Sequence, residues 1–212
     1  MRTASHLLLV ACLTLTAAPA IAQTVYSNGP INGNVDAFTI NFGFAVSDTF
    51  NVTNNNTTIT GMSFGAWLFP GDNLTSVEMS ISSQENGGTF YFDDTVNMSR
   101  GSCTNNAFGF AVCQENATLN GPTLASGTYW INLQNASVPS GDPVYWDQNS
   151  GPSMASDSSV GTIPSEAFTI LGSNSTTTFD VTTTGSVPEP SSVMLLGTGI
   201  LGLARLVYRR LK

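Results

Sequence analysis

Basic residues are almost absent from the middle of this 212-residue chain. Between Gln23 and Ser186 there are 13 acidic residues and one basic residue, Arg100, which gives a formal charge of 1 − 13 = −12. This stretch has no lysine, and the single histidine, His6, lies outside it. Nucleic-acid binding is excluded because nothing here neutralises phosphates. A histidine base, a lysine Schiff base and a zinc site with histidine ligands are excluded because the residues are missing.

The low content of charged residues, 9%, does not indicate disorder. Hydrophobic residues make up 41% of the chain, and twelve phenylalanines and three tryptophans are enough to build a core. The length is that of one domain of ordinary size with processing segments at its ends.

The first 22 residues have the features of a secretion signal. Arg2 gives a positive start, an apolar run covers residues 7–13, and Ala20 and Ala22 form the small–x–small site at which a signal peptidase cuts. A retained membrane anchor is the alternative, but it needs about 20 apolar residues and polar residues interrupt this run. We therefore predict a signal peptide over residues 1–22.

The C-terminal end combines a proline motif, a short apolar segment and a basic tail. The two prolines of the motif fix an extended backbone that a processing enzyme can bind. The apolar segment that follows, residues 193–204, is short for a bilayer core of about 30 Å. A basic tail stays cytoplasmic while the acidic domain lies outside. The motif is Val187, Pro188, Glu189 and Pro190, and the tail carries Arg205, Arg209, Arg210 and Lys212.

This arrangement resembles the PEP-CTERM sorting signal of bacterial exported proteins over residues 187–212. The resemblance implies processing by an exosortase near the Pro-Glu-Pro motif. It also implies transient anchoring in the inner membrane through a short C-terminal transmembrane helix, then transfer to the cell surface or beyond, often with exopolysaccharide. Arg205 departs from the small residue that is usual there. A plain single-pass anchor is the alternative.

The stretch between the two ends alternates apolar and polar residues. Val77, Met79 and Ile81 alternate with polar neighbours, and Phe38, Ile40 and Phe42, then Phe90 and Phe92, and Phe179 and Val181, follow the same period of two. This period, with turn residues between the runs, predicts strands. We expect one all-β domain over residues 23–186, a two-sheet antiparallel β-sandwich of jelly-roll type, flanked by the signal helix and the membrane helix. An open barrel is the alternative.

Cysteine usage agrees with export. Cys12 leaves with the signal peptide, so that Cys103 and Cys113 remain as a pair. An even count in an exported chain predicts a disulfide, which stabilises a loop of this length by about 3 kcal/mol in the chain-entropy model. A metal-binding pair is the alternative, but no other cysteine or histidine remains to complete the site.

Two aromatic-rich segments, residues 127–133 and 141–152, together with residues 163–170, look like the domain of uncharacterised PEP-CTERM surface proteins, a resemblance that brings no activity with it. Adjacent residues of a strand face opposite sides of the sheet. In each of the first two segments two aromatic residues are adjacent, so one of the two rings is expected to point outward. Outward rings beside acidic and amide residues predict a glycan-binding surface, unless the rings are covered and the polar residues only form turns. The candidate residues are Trp130, Asp142, Trp146, Asp147 and Asn149.

Calcium is a second candidate ligand, and no other cofactor is expected. Asp142, Asp147, Asn149 and Asp157, or Asp93 and Asp94, offer oxygen ligands, although no EF-hand or nonapeptide spacing is present. Catalysis is not expected, because the glutamates at positions 78, 85, 115 and 166 are isolated and no catalytic motif surrounds them.

The sequence therefore predicts an exported structural or adhesive surface protein without catalytic activity. The alternative is an exopolysaccharide-binding module, with calcium as an optional ligand. Its expected partners are signal peptidase and exosortase during export, the membrane through the C-terminal helix, and exopolysaccharide, but not nucleic acid.

Overall fold

Fourteen strands in two antiparallel sheets make up the part of the protein that the computed structural model describes, residues 22–174. The eight-stranded sheet contains β1 (Gln23–Ser27), β2 (Ala37–Thr39), β4 (Thr57–Leu68), β7 (Ser99–Asn105), β8 (Ala111–Thr118), β9 (Thr123–Leu124), β11 (Tyr145–Asp147) and β14 (Phe168–Asn174). The six-stranded sheet contains β3 (Ala45–Val52), β5 (Ser76–Gln84), β6 (Gly87–Asn97), β10 (Gly127–Ser137), β12 (Ala155–Asp157) and β13 (Gly161–Ile163).

Strand β4 organises the eight-stranded sheet. Its 12 residues pair with β14 and then β11 on one side, and with β9 and β8 on the other, while β7 closes the edge beyond β8. The order in the six-stranded sheet is β13-β12-β3-β10-β5-β6, so that β6 forms one edge. Most of these pairings join segments far apart in sequence, and they cannot form until the chain has closed long loops.

The core lies between the two sheets. Phe50 of β3 packs against Tyr26 of β1, with ring centroids 6.4 Å apart, and Tyr26 also contacts Phe168 of β14. Phe64 and Trp146 meet edge to face on the eight-stranded side, and both are fully buried. The all-β class with two antiparallel sheets, and a sandwich-like packing, is therefore confirmed, whereas the jelly-roll connectivity stays a prediction.

The predicted period of two is present in β5, and it breaks down around Phe42 and in β6. Val77, Met79 and Ile81 are all fully buried on one face of β5. Phe42, in contrast, lies in a turn with φ of 57° and is 63% exposed, because the chain reverses after Ile40. A bulge opposite Ile81 and Ser82 leaves Tyr91 as an extra residue in β6.

Residues 22–174 fall within a single compact unit, and no helix in this range is long and apolar enough to cross a membrane. The predicted signal helix, the run containing Phe179 and Val181, the sorting motif and the C-terminal membrane helix all lie outside the described residues. The boundaries at residues 22 and 187 therefore stay predictions.

Candidate functional site

The predicted glycan residues do not come together on one surface. Trp146 is fully buried, packs edge to face on Phe168 with ring centroids 5.6 Å apart, and donates from Nε1 to the Ala167 carbonyl at 3.1 Å. Trp130 is half-buried on β10, in the other sheet. Asp142 lies in the loop after β10, and its backbone carbonyl accepts a bond from the Asn41 amide. The prediction of one five-residue surface is therefore wrong, because Trp146 belongs to the core.

Asp147 faces outward from its sheet but is buried by the loop of residues 28–34. Its Oδ1 accepts from Trp67 Nε1 at 2.6 Å and from the Gly33 amide at 3.0 Å, and its Oδ2 accepts from the Asn32 amide at 2.8 Å. The loop packs so closely on the sheet that a Cβ on Gly65 would lie 2.9 Å from Ile31 Cγ2. Burial raises the pKa of Asp147, while these donated bonds oppose the rise. This carboxyl group holds the loop on the sheet instead of facing a ligand.

Asn149 is likewise buried and fully engaged. Its Oδ1 accepts from the Gly151 amide and from Ser165 Oγ, each at 2.8 Å, and its Nδ2 donates to the Asn28 carbonyl at 2.7 Å. Gly151 is required at this point, since a Cβ there would lie 2.2 Å from the Asn28 carbonyl oxygen. Asn149 therefore ties three segments together and is closed to a sugar or a metal ion.

The candidate calcium ligands are also dispersed. Asp157 Oδ1 accepts from the amides of Ser159 at 2.8 Å and Val160 at 3.2 Å, as in a tight turn. Asp93 and Asp94 are exposed neighbours on β6 and face opposite sides of the strand. Within residues 22–174, no three His, Cys, Asp or Glu side chains lie close enough to hold a metal ion. The geometry therefore gives calcium no cluster of ligands.

A buried polar network around Asp48 is the main feature that the sequence did not suggest. Asp48 Oδ2 accepts from Asn28 Nδ2 at 3.0 Å and from the Glu166 amide at 2.8 Å, and Oδ1 accepts from the Thr49 amide at 2.6 Å. Asn28 Nδ2 also lies 2.7 Å from Ser165 Oγ. Burial raises the pKa of Asp48 to about 6, although its hydrogen bonds oppose the rise. The network joins the chain before β2 to β3 and to the segment before β14.

Glu166 is the most isolated carboxyl group of this network. Its side chain is fully buried, and neither carboxyl oxygen has a hydrogen-bond partner among residues 22–174. Burial raises its pKa well above the ordinary value, and the negative charges of Asp48, Asp147, Asp36 and Asp157 raise it further. Burial without a compensating charge therefore favours the protonated form of Glu166 over the ionised carboxylate.

Arg100 forms an ion pair elsewhere in the domain. Its Nε lies 3.3 Å from Glu115 Oε1, and its Nη2 donates to the Asp72 carbonyl. Glu115 is fully buried, and burial raises its pKa while Arg100 opposes the rise. The one base of the acidic stretch is thus used to neutralise a single buried carboxyl group.

Cys103 and Cys113 form the predicted disulfide, across the paired strands β7 and β8. The turn between these strands is held by Asn106, whose Oδ1 accepts from the amides of Phe108 at 3.0 Å and Phe110 at 2.9 Å. This turn folds back over the outer face of its own sheet. The disulfide prediction is therefore confirmed. The hairpin that it closes carries Phe108 and Phe110.

Five aromatic side chains form a patch on that outer face. Phe108 stacks on Trp67 with ring centroids 5.6 Å apart and 20° between the ring planes, and Phe110 lies 5.1 Å from Phe69 and 5.5 Å from Tyr145. Trp67 is outward because its neighbours in β4, Ala66 and Leu68, belong to the core. Phe108 is 60% exposed and Phe69 is 39% exposed. We name these residues, Trp67, Phe69, Phe108, Phe110 and Tyr145, the aromatic patch.

A second surface feature is a cleft of about 450 Å³ where the two sheets part, between β6 and the end of β8. It is lined by Phe92, Asp94, Thr95, Val96, Asn97, Met98, Ser99, Asn116, Thr118, Leu119 and Asn120. We name it the edge cleft. Of its residues, the sequence had singled out only Asp94 as a candidate ligand, because the cleft depends on the pairing of strands distant along the chain.

These features define an acidic, disulfide-containing protein of two antiparallel sheets, stabilised by a buried carboxyl network. Residues 186–210 match the family model described as the PEP-CTERM protein-sorting motif, in agreement with the resemblance of residues 187–212. The chain is therefore an exported protein that carries a PEP-CTERM signal and is sorted by an exosortase. The match does not extend into the β domain, and none of the curated proteins is similar enough to the chain to count as a relative.

Proposed function

We propose that the exported domain is a structural or adhesive component of the cell surface and has no catalytic activity. The observation that supports this role is the aromatic patch. Single exposed apolar residues are ordinary on protein surfaces, but contiguous exposed rings are typical of interaction sites. Here Phe108 and Phe69 are exposed and pack against the other rings of the patch. The disulfide holds the hairpin that carries Phe108.

The arrangement of the carboxyl groups agrees with a non-catalytic role. Asp48, Asp147 and Asp157 accept hydrogen bonds from the domain's own backbone, and Glu115 is paired with Arg100. A general acid or base must reach a substrate proton. These groups instead connect segments of the fold.

For the C-terminal segment we propose the route that the sorting motif implies in detail. The basic tail stops export, the short apolar segment anchors the precursor transiently in the inner membrane, and the exosortase acts near Pro188-Glu189-Pro190. The processed domain then reaches the cell surface or the extracellular material.

The adhesive role is tested by removing the exposed rings. Cells that carry the variant Phe69→Ser with Phe108→Ser should lose most of the adhesion to hydrophobic beads and surfaces that the wild-type protein confers. The matched control is Val35→Ser with Val160→Ser, which removes two side chains that are 55% and 66% exposed outside the patch. The surface amount of each variant is measured in parallel. Equal adhesion by the two double variants, at equal surface amounts, would contradict the role of the patch.

A second candidate function is binding of polysaccharide, the alternative that the sequence raised. The edge cleft favours it, since Trp146, Asp147 and Asn149 of the originally predicted residues are buried, whereas the cleft offers amide, hydroxyl and carboxylate groups beside apolar side chains.

A further inference from the structure

The position of Asp94 breaks the pattern of the strand that carries it. Asp94 is opposite Met79 in the sheet, and its neighbours on the same face, Phe92 and Val96, are opposite Ile81 and Val77. Met79, Ile81 and Val77 are all fully buried in the core. Asp94 therefore occupies an inward-facing row in which an apolar residue is expected. It stays exposed because β6 is an edge strand and the edge cleft opens beside it.

The apolar residues of the edge cleft form one part of its lining. Val96 and Leu119 are buried and belong to the core, and Phe92 and Met98 pack against the core while remaining partly accessible. The volume of about 450 Å³ is in the range of small-molecule sites. A ligand with an apolar face can thus lie against these side chains.

The polar residues of the cleft are neutral apart from Asp94. Asn97, Asn120 and Thr118 are exposed and offer both donors and acceptors, whereas the Asn116 amide is already engaged with the Ser99 carbonyl at 3.2 Å. Among the residues that line the cleft, none is basic, and the guanidinium of Arg100 is held by Glu115. An anionic ligand would therefore meet the Asp94 carboxylate without a compensating charge.

We propose that the edge cleft binds a neutral saccharide. The hydroxyl groups of such a ligand donate to the Asp94 carboxylate and exchange hydrogen bonds with Asn97 and Asn120, and its C–H face packs on Phe92 and Met98. This inference rests on the second candidate function, the binding of polysaccharide by the surface domain, and it names the class of saccharide that is bound. It moves the saccharide site from the buried Trp146 region to the opening between β6 and β8.

Neighbouring acids on β6 provide a matched pair of variants. Asp94→Asn removes the carboxylate from the cleft, and Asp93→Asn makes the same change one residue away, on the opposite face, where Asp93 is opposite Ser80. The full-length protein in detergent is titrated calorimetrically with cellohexaose and maltohexaose as neutral probes and with oligogalacturonate as an anionic probe. Asp94→Asn should weaken binding of a neutral probe about tenfold to a hundredfold, as expected for loss of a hydrogen bond to a charged group. Asp93→Asn should bind like the wild type.

Several results would overturn the proposal. Equal affinities of the two variants would place the site elsewhere, and tighter binding of oligogalacturonate would contradict a neutral ligand. A third outcome is that the wild type binds no probe and only Asp94→Asn self-associates. In that case Asp94 is a charge that blocks pairing at the sheet edge.

If patch-dependent adhesion persists while the probes do not bind, the cleft proposal fails alone. If both are absent, the proposed surface function fails as well.

Discussion

The stability of the domain should fall as the pH rises, because the carboxyl groups of Asp48 and Glu166 are buried without a basic partner. The Asp48 carboxyl has an ordinary pKa of 3.8 and a folded-state pKa of about 6. Between these two values the folded state keeps a proton that the unfolded state has released. The free energy of unfolding therefore decreases as the pH rises through this window and remains low above it. The direction is opposite to that of the usual salt-bridged carboxylate.

The size of the effect follows from the shift. For Asp48, a shift of about two pKa units lowers the free energy of unfolding by roughly 3 kcal/mol across the whole pH window. About half of this decrease occurs above pH 5. This half alone should lower the Tm by about 3–6 °C between pH 5 and pH 8 for a domain of this size. Glu166, whose pKa is raised well above the ordinary value, adds to the loss at higher pH.

The assay is thermal unfolding of the full-length protein by circular dichroism at constant ionic strength from pH 5 to pH 8. General repulsion among the acidic residues acts in the same direction, but salt screens it, whereas the cost of ionising buried groups persists at high salt. Glu166→Gln should flatten the upper part of the pH profile, and the exposed-site control Asp93→Asn should not. A Tm that is constant or rises from pH 5 to pH 8 at high salt would refute this reasoning.

Three further predictions concern single features of the chain. Replacing both Cys103 and Cys113 by Ala should lower stability by about 3 kcal/mol in chemical denaturation, and labelling of both thiols in the native wild type would contradict the disulfide. Asn28→Ala should cost about 3 kcal/mol because Asp48 loses a buried donor, and a cost no larger than that of the exposed control Asn34→Ala would argue against the network. Replacing Pro188 and Pro190 by Ala should leave unprocessed precursor in membrane fractions on immunoblots, and normal processing would contradict the role of the motif.

The fold class was accessible from sequence because it depends on local patterning. Val77, Met79 and Ile81 show the period of two and are buried as expected. The sorting motif was accessible for a similar reason, since its parts are contiguous. Phe42 was misassigned to a strand because a turn with positive φ follows Ile40, and alternation alone does not reveal such a turn.

The site was less accessible because it depends on contacts across the chain. Asp147 and Asn149 look like exposed loop acids and amides in the sequence, but the loop of residues 28–34, more than 100 positions earlier, covers them. Glu166 carries no local sign of burial. The one hint in the sequence is global: with a single base in the acidic stretch, almost any carboxyl group that becomes buried there lacks an ion-pair partner.

We propose that this acidic β domain reaches the cell surface after both of its terminal segments are removed. Mass spectrometry of the protein isolated from the cell surface and the medium tests it most directly. We expect a mature chain that begins at Gln23, ends near the Pro188-Glu189-Pro190 motif and contains the Cys103–Cys113 disulfide. A surface form that still ends at Lys212 would contradict it, because the C-terminal segment would then be a permanent anchor.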